Sequence, residues 1–544
     1  MDDPLWKIDA TLKAKGFSLS RPPSTYRGPI SLHGNKAEVE IKIPDVTFVE
    51  MPELRLVDSS GIPLKNLAHL NRDGTICYVG EGDLPLDLYN PGESILRVLR
   101  EAEITLERSF GGAITAEYEA ELESYWQGDF IHFALPVVQS SKIENADIID
   151  LGTSEDARYV LVPTGGWQNI NPRSRREVTI LSFRHKLKHT NSFKSENLAG
   201  VIDWLEAQSA APNGLRQTII TCTATLMPIF IMSSNALLGW RPVLPNSLKM
   251  QQQAGGSRKN FFENQIAKSL DRIGLNRMTG VQSDLRSVVE RNLFGKASLI
   301  GKRIALIGSG TIGGNLAKLF VQAGAGCGED FAVYDRDVLR PGNLGRHVLG
   351  FSDLDRPKAV ATADFLRNFH PDVHIKPLQR DALQDWAALE RTDMIVDATG
   401  DYNVASALNH MRMRSSKSGS ELAVLHAWVF GNGIAAQTFL NLKDGQACYR
   451  CLKPKFDGDW RYPPVKDVKK FAELAPARCG EAGYVPFAAD APAAAASLAL
   501  RAALDWAAKQ PGQRLRTITL NHEDGKDVKW VSPSRSAECP ACGA

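Results

Sequence analysis

The sequence predicts a multidomain chain: an α+β domain over residues 1–126, a middle α/β linker domain over 127–283 and a parallel α/β domain over 284–544. Three observations carry that expectation. At 544 residues the chain exceeds what one hydrophobic core organises. Its first part orders helix, strands, an irregular loop and helix, whereas from Lys302 onward short apolar strands alternate with helices, the pattern of a parallel sheet with crossovers. A Gly-x-Gly-x-x-Gly turn at Gly308, Gly310 and Gly313 stands where the first of those strands meets its helix.

Element by element, Leu5 to Lys15 repeats with helical spacing, and Pro29 to Leu32, Ala37 to Ile43 and Leu54 to Val57 read as strands parted by Gly, Pro and Asn turns. An irregular stretch from His69 to Cys77 precedes an amphipathic helix from Glu93 to Leu106. The middle is the least informative part. It has strand-like runs at Tyr159 to Pro163, Glu177 to Phe183 and Thr218 to Ile220, a helix around Leu198 to Gln208, and a polar stretch at Gln251 to Ser257 that reads as a loop or linker. In the last part, Arg303 to Ile307, Phe331 to Tyr334 and Met394 to Val396 read as strands, and Gly313 to Ala323, Lys358 to Asn368 and Val404 to Met413 as helices.

Composition narrows the class without naming a partner. Hydrophobic residues at 43% and charged residues at 23% describe a soluble globular protein, and a net charge of +2 gives no global pull toward nucleic acid or an anionic membrane. The N-terminus lacks an apolar signal core, and the most apolar stretch, Ile219 to Met232, is too short for a membrane span and is broken by threonines and Pro228. Eight cysteines, four of them in metal-type pairs, fit a reducing, cytoplasmic setting better than a disulfide scaffold.

Chemistry concentrates in the last domain. The glycine turn can face backbone N–H groups and a helix N-terminus toward phosphate, and Asp335 closes the second strand where a carboxylate reaches a ribose hydroxyl. The glycines do not decide between NAD and ATP. Cys448/Cys451 and Cys539/Cys542 form two Cys-x-x-Cys pairs able to supply four thiolates to one tetrahedral zinc; with no open coordination position, such a Zn2+ is structural.

Residues beyond the turn separate the nucleotides. Asn343-Leu344-Gly345-Arg346-His347, then Lys358 at a helix start, then Asp397-Ala398-Thr399-Gly400-Asp401 after the third strand resemble the Rossmann-like adenylating domain of the ThiF/MoeB and ubiquitin-activating family. That resemblance implies ATP and Mg2+ as cofactors. Asp335 would hold the ribose, Asn343, Arg346 and Lys358 the phosphates, and Asp401 the magnesium ion. The family reads Asp-Cys-Thr-Asp-Asn where this chain is one residue longer, so Asp397 is a second candidate for the metal. The resemblance also implies a homodimer, with Arg291 as the arginine lent to the partner's site, and it extends to the zinc knuckles. Cys479, in Arg478-Cys479-Gly480-Glu481, resembles the acceptor cysteine of the family's crossover loop, and Arg478 would favour its thiolate.

The first domain resembles ubiquitin-conjugating enzymes. His69-x-Asn71 followed by Gly74-Thr75-Ile76-Cys77 is similar to their His-Pro-Asn and Gly-x-Ile-Cys loop, with Leu70 in place of the proline. The resemblance implies that Cys77 carries a thioester and that Asn71 supports the oxyanion. A conjugating domain ahead of an activating domain resembles the bacterial fusion enzymes of anti-phage operons of the cyclic-oligonucleotide type. The implied relay adenylates a partner protein's C-terminal carboxylate, passes the acyl group from Cys479 to Cys77 and ends on a target amine. The implied partner is a cyclic-oligonucleotide synthase (CD-NTase) or a small ubiquitin-like protein. A nicotinamide oxidoreductase leaves Asn343, Arg346, the knuckles and Cys77 without a role. A sulfur-carrier adenylyltransferase leaves the first half without one, and a non-catalytic scaffold leaves Cys479 idle.

Overall fold

A computed structural model describes residues 3–543 apart from 33–34, 59–67, 72, 79–83, 111–118, 120–121, 190–192, 194, 254–258, 420 and 469–484. The chain divides into two compact units, one of residues 1–166 and 172–282 and one of 167–171 and 283–544.

The first unit opens with helix α1 (Pro4–Ala14), started by Pro4 and by the Asp3 carboxylate, which accepts from the Leu5 N–H. An antiparallel meander follows: β1 (Ser18–Arg21), β2 (Thr25–Leu32), β3 (Asn35–Lys42) and β4 (Glu53–Asp58). Along β2, buried Ile30 and Leu32 alternate with exposed Pro29 and Ser31. Helix α2 (Pro91–Phe110) joins this core through Ile95, Val98, Leu99, Ala102 and Leu106, a spacing of three and four that makes one apolar stripe. The sequence pattern did not predict β1 because all four of its residues are exposed.

The middle of the chain is a closed β-barrel. After the short helix α3 (Leu122–Trp126) come β5 (Asp129–Phe133), β6 (Lys142–Asp150), β7 (Tyr159–Pro163), β8 (Ser174–Ser182), β9 (Ile229–Ser233), β10 (Ala236–Val243) and β11 (Gly274–Gln282), closed in the order β10-β11-β5-β7-β6-β8-β9. Phe133, Ile148, Leu161, Ile180, Phe230 and Met278 form one cluster on these strands. A second gathers Trp126, Trp204 and Trp240 with residues of α4 (Leu198–Glu206) and α5 (Leu215–Ala224). Two local expectations fail here. Thr218 to Ile220 lies inside α5, where burial at Leu215, Ile219, Ile220 and Cys222 follows helical spacing and overrides the β-branched run. Gln251–Gln253 ends helix α6 (Asn246–Gln253) rather than a loop; the rest of that polar stretch lies outside the described residues.

The second unit is a Rossmann-like α/β fold. Its strands β12 (Ile304–Ile307), β13 (Phe331–Tyr334), β14 (Ile375–Leu378), β15 (Met394–Asp397), β16 (Ala423–Phe430), β17 (Ala435–Asn441) and β18 (Leu515–Thr519) lie in the order β14-β13-β12-β15-β16-β17-β18. The first five are parallel, and β17 pairs antiparallel with both β16 and β18. The order reverses at β12, flanked by β13 and β15, which opens a crevice beyond the strands' carboxyl ends. Helices α7 (Leu285–Leu293), α8 (Thr311–Gln322), α9 (Lys358–Phe369), α10 (Tyr402–Arg414) and α11 (Asp490–Ala507) accompany the sheet. Among the described residues no helix is long and apolar enough to cross a membrane.

Candidate active site

A pocket of about 870 Å³ occupies that crevice and brings together Gly308, Gly310, Asp335, Asn343, Arg346, Lys358 and Asp401. Two glycines are there for space. Gly308 has φ +85°, and a Cβ on Gly313 would fall 1.8 Å from the Gly308 carbonyl oxygen, so α8 can start this close to the loop only without a side chain. Gly313 therefore stands behind the pocket and does not line it.

Hydrogen bonds fix the glycine loop from both sides. Asp335 Oδ2 accepts from the Ser309 N–H at 2.8 Å and its hydroxyl at 3.2 Å, and Oδ1 accepts from the Asp337 N–H at 2.9 Å. Opposite, His347 Nε2–H donates to the Ser309 carbonyl at 2.7 Å while Nδ1 accepts from the Leu349 N–H at 3.1 Å. Burial pushes the His347 pKa below its ordinary value, which favours the neutral ring this arrangement needs. Lys358, 8% exposed, lies 3.3 Å from the exposed Asp337 carboxylate. Arg346 donates to the Val485 carbonyl at 3.1 Å and lies 4.4 Å over the Phe487 ring. Asn343 Oδ1 accepts from the Arg340 N–H at 2.9 Å, closing the turn that carries it.

The two candidate metal aspartates differ. Asp397, 3% exposed, is spent on protein: Oδ1 accepts from the Thr399 N–H and hydroxyl at 3.1 and 2.7 Å, and Oδ2 from His426 Nδ1–H at 2.9 Å. Asp401 is exposed and caps α10 through Oδ1, accepting from Asn403 and Val404 N–H groups at 2.7 and 3.2 Å, which leaves Oδ2 to the pocket.

The four knuckle cysteines meet. Sγ–Sγ distances are 3.9 Å for Cys448–Cys451, 3.7 Å for Cys448–Cys539, 3.3 Å for Cys451–Cys542 and 3.8 Å for Cys539–Cys542. Zinc at about 2.3 Å from each of four tetrahedral sulfurs sets them about 3.8 Å apart, so the cluster fits that ion. N–H groups of Ser536 and Asn409 point at the Cys451 and Cys448 sulfurs, as donors do at bound thiolates. The Cys448 hydrogen bond draws Cys451 down to about 4 and holds Cys448 up, while burial pushes Cys542 up to about 11; a dication is what would let all four ionise together.

Cys77 sits in a different setting, exposed at the end of a small hairpin. Its N–H donates to the His69 carbonyl at 2.8 Å, Leu70 bridges Ile76, and Asn71 N–H donates to the Thr75 carbonyl at 2.9 Å. Ile76 N–H to Leu54 and Leu56 N–H to Gly74, both 2.8 Å, tie the hairpin to β4. His69, at φ +59°, donates its N–H to the Tyr125 hydroxyl at 2.7 Å, so α3 anchors the turn.

Residues 289–541 match the ThiF family and residues 5–132 match Prokaryotic E2 family B. The chain is an enzyme that joins an E2-like domain to a ThiF-family domain. The joined architecture extends to relatives over nearly their whole length. The ATP-dependent ubiquitin transferase-like protein Cap2 of Pseudomonas aeruginosa is 28% identical over 537 residues, covering 94% of this chain and 92% of that protein. The Escherichia coli protein of the same name is 25% identical over 560 residues, covering 93% and 90%. The sulfur carrier protein ThiS adenylyltransferase of E. coli is 27% identical over 258 residues, which is 46% of this chain and 90% of that protein.

Of the expected site residues, the ThiF domain gathers the nucleotide set and the four cysteines. Arg291 lies on α7, exposed and apart from the pocket lining. Cys479 lies outside the described residues; Val485, which Arg346 holds, follows it closely in the chain. Sequence reasoning missed His347 and the Asp397–His426 pair. His426 had left a signal, as the lone ionisable residue in the apolar strand AVLHAWVF.

Proposed function

We propose that this fusion adenylates the C-terminal carboxylate of a partner protein and relays the acyl group through Cys479 and Cys77 to a target amine. The observation that carries the reading is the single pocket that collects a pinned glycine loop, Asp335, Asn343, Arg346, Lys358 and Asp401. In it a substrate carboxylate oxygen attacks the α-phosphorus of ATP, and the bond to the β-phosphate breaks, releasing pyrophosphate. Asn343, Arg346 and Lys358 hold the phosphates and offset their charge. Asp401 would hold the magnesium ion, which supplies further neutralisation of phosphate charge.

The mixed anhydride is then a substrate for thiolates. Cys479 Sγ attacks the acyl carbon and AMP leaves; Cys77 Sγ attacks the resulting thioester and the Cys479 thiolate leaves. A lysine amine attacks the second thioester, loses its proton and frees Cys77 as a thiolate. The exposure of Cys77 supports a role that must admit a second protein. The four-cysteine cluster would hold zinc in a structural role. We propose a cyclic-oligonucleotide synthase as the activated protein, on the resemblance to anti-phage fusion enzymes, with a small ubiquitin-like protein as the alternative.

Pyrophosphate exchange tests the first step. Labelled pyrophosphate should enter ATP only when the partner protein is present with its terminal carboxylate intact. Exchange that is indifferent to a partner lacking its last residues would contradict the reading.

A further inference from the structure

Asp335, Asp337, Asp381 and Asp401 all line the nucleotide pocket, and three of these carboxylates hold backbone. Asp335 spends both oxygens on Ser309 and on the Asp337 N–H, Asp381 accepts from the Leu383 N–H at 2.9 Å, and Asp401 caps α10. Asp337 is different. Among the described residues its carboxylate has one hydrogen-bond partner, the Lys358 ammonium at 3.3 Å, and its side chain is 62% exposed. A carboxylate facing the space that receives a polyphosphate repels that ligand, so its place there needs a reason.

Lys358 supplies the reason. It is the first residue of α9, where unpaired N–H groups carry partial positive charge, and only 8% of it is exposed. Its ammonium is therefore short of water and stands at the disfavoured end of a helix dipole. Pro357 before it offers no side-chain cap. One residue meets these needs. The Asp337 carbonyl accepts the Lys358 N–H at 2.9 Å, its carboxylate holds Lys358 Nζ, and its own N–H donates to Asp335 Oδ1 at 2.9 Å. Leu339 N–H to the Arg356 carbonyl and Asp355 N–H to the Leu339 carbonyl, at 2.9 and 3.0 Å, zip together the two segments that carry the pair. Asp337 is thus the joint between the aspartate read above as holding ribose and the lysine read as holding phosphate. We propose that Asp337 is a positioning residue for adenylation: it sets the Lys358 ammonium in place before ATP arrives, so that the cation need not reorganise as charge passes from the attacking carboxylate to the leaving pyrophosphate. The proposal rests on the adenylation reading and adds a division of labour, in which this carboxylate works against ATP binding and for the chemical step.

The test uses the full chain, first with magnesium and ATP alone in calorimetry, then in pyrophosphate exchange with a partner protein that supports exchange in the wild type. Asp337→Asn keeps the main chain and the side-chain shape and removes the charge. It should lower kcat for exchange about tenfold, the usual effect of one hydrogen bond to a charged group, while the Kd for ATP stays unchanged or falls severalfold because an anion facing the phosphates is gone. Lys358→Met removes the cation, and in that background Asp337→Asn should cost nothing further. Asp337→Glu, which still reaches the ammonium, should recover most of the rate. If the losses from Asp337→Asn and Lys358→Met multiply, or if kcat, ATP affinity and melting temperature fall together in Asp337→Asn, then Asp337 only supports the start of α9; the proposal is wrong and adenylation still stands. A rise in the magnesium concentration for half-maximal exchange would make Asp337 a metal ligand and overturn the proposal equally. If the wild type exchanges with no partner protein, the adenylation reading falls and this one with it. Should Lys358→Met not fold, Lys358→Gln completes the cycle.

Discussion

The nucleotide pocket and the Cys77 hairpin are built on opposite plans. In the pocket, side chains hold side chains and backbone: Asp335 and His347 fix Ser309 from two directions, and Asp337 holds Lys358. At the hairpin, main-chain bonds to His69, Leu54 and Gly74 set the position, and the thiol stays exposed. Charge stabilisation calls for groups placed beforehand and shielded from water, since reorganising them during reaction would cost part of what they contribute. A thiol that, on the proposed relay, would take an acyl group from Cys479 and pass it to an amine of another protein needs reach, so a stiff backbone under an open side chain would serve it better.

Metal removal should break this comparison most clearly. Asn409 ties Cys448 to the Tyr449 backbone, and Tyr449 packs on His426, so the cluster supports the ThiF site, and among the described residues it has no counterpart under Cys77. Metal analysis should find one zinc per chain. Cys539→Ser should lose it and lower the melting of the ThiF unit by on the order of 10 °C, leaving the transition of the E2-like unit where it was. Asp401→Asn comes next. Asn caps a helix about as well as Asp, so stability should hold within a few tenths of a kcal/mol, while pyrophosphate exchange falls about a hundredfold. An equal fall in both would reduce Asp401 to a cap.

On the other side of the comparison, Tyr125→Phe keeps the ring in its cluster and removes the acceptor for the His69 N–H. Single-turnover discharge from Cys77 should slow about fivefold, with exchange unchanged. The smallest effect concerns Glu123 on the same short helix, which accepts from the Leu237 N–H of the barrel. Burial raises its pKa from 4.5 to about 7. Between those values the folded chain keeps a proton that the unfolded chain has lost, so stability falls as pH rises through this window and stays lost above it. Glu123→Gln should flatten that slope in pH-dependent denaturation and gain about 1–2 kcal/mol near pH 8, after allowance for the group's partial exposure.

What the sequence revealed follows the same divide. Phe331–Tyr334 and Tyr159–Pro163 stand as strands within the bounds their apolar runs implied, and the gathering of the glycine turn with Asp335, Arg346 and Lys358 around one pocket was legible through their order along the chain, which resembles that of the adenylating family. Barrel closure was not legible: it pairs β10 with β11 and β8 with β9 across stretches of chain whose partners no local pattern names. Nor was the split between Asp397 and Asp401. Both read as carboxylates after a strand, and only the distance from Asp397 to His426, a strand away, shows which one is spent. Tyr125 was equally hidden, since an aromatic at helical spacing reads as core until its hydroxyl is seen to hold a backbone 56 residues earlier.

The relay itself is tested most directly by mapping thioesters on the enzyme after incubation with ATP, magnesium and its partner protein, using non-reducing gels and mass spectrometry. Two reductant-sensitive adducts should form, at Cys479 and at Cys77, both requiring ATP, and the Cys77 adduct should vanish in Cys479→Ala. An adduct at Cys77 that forms without ATP, or persists when Cys479 is gone, would contradict the proposed order of transfer.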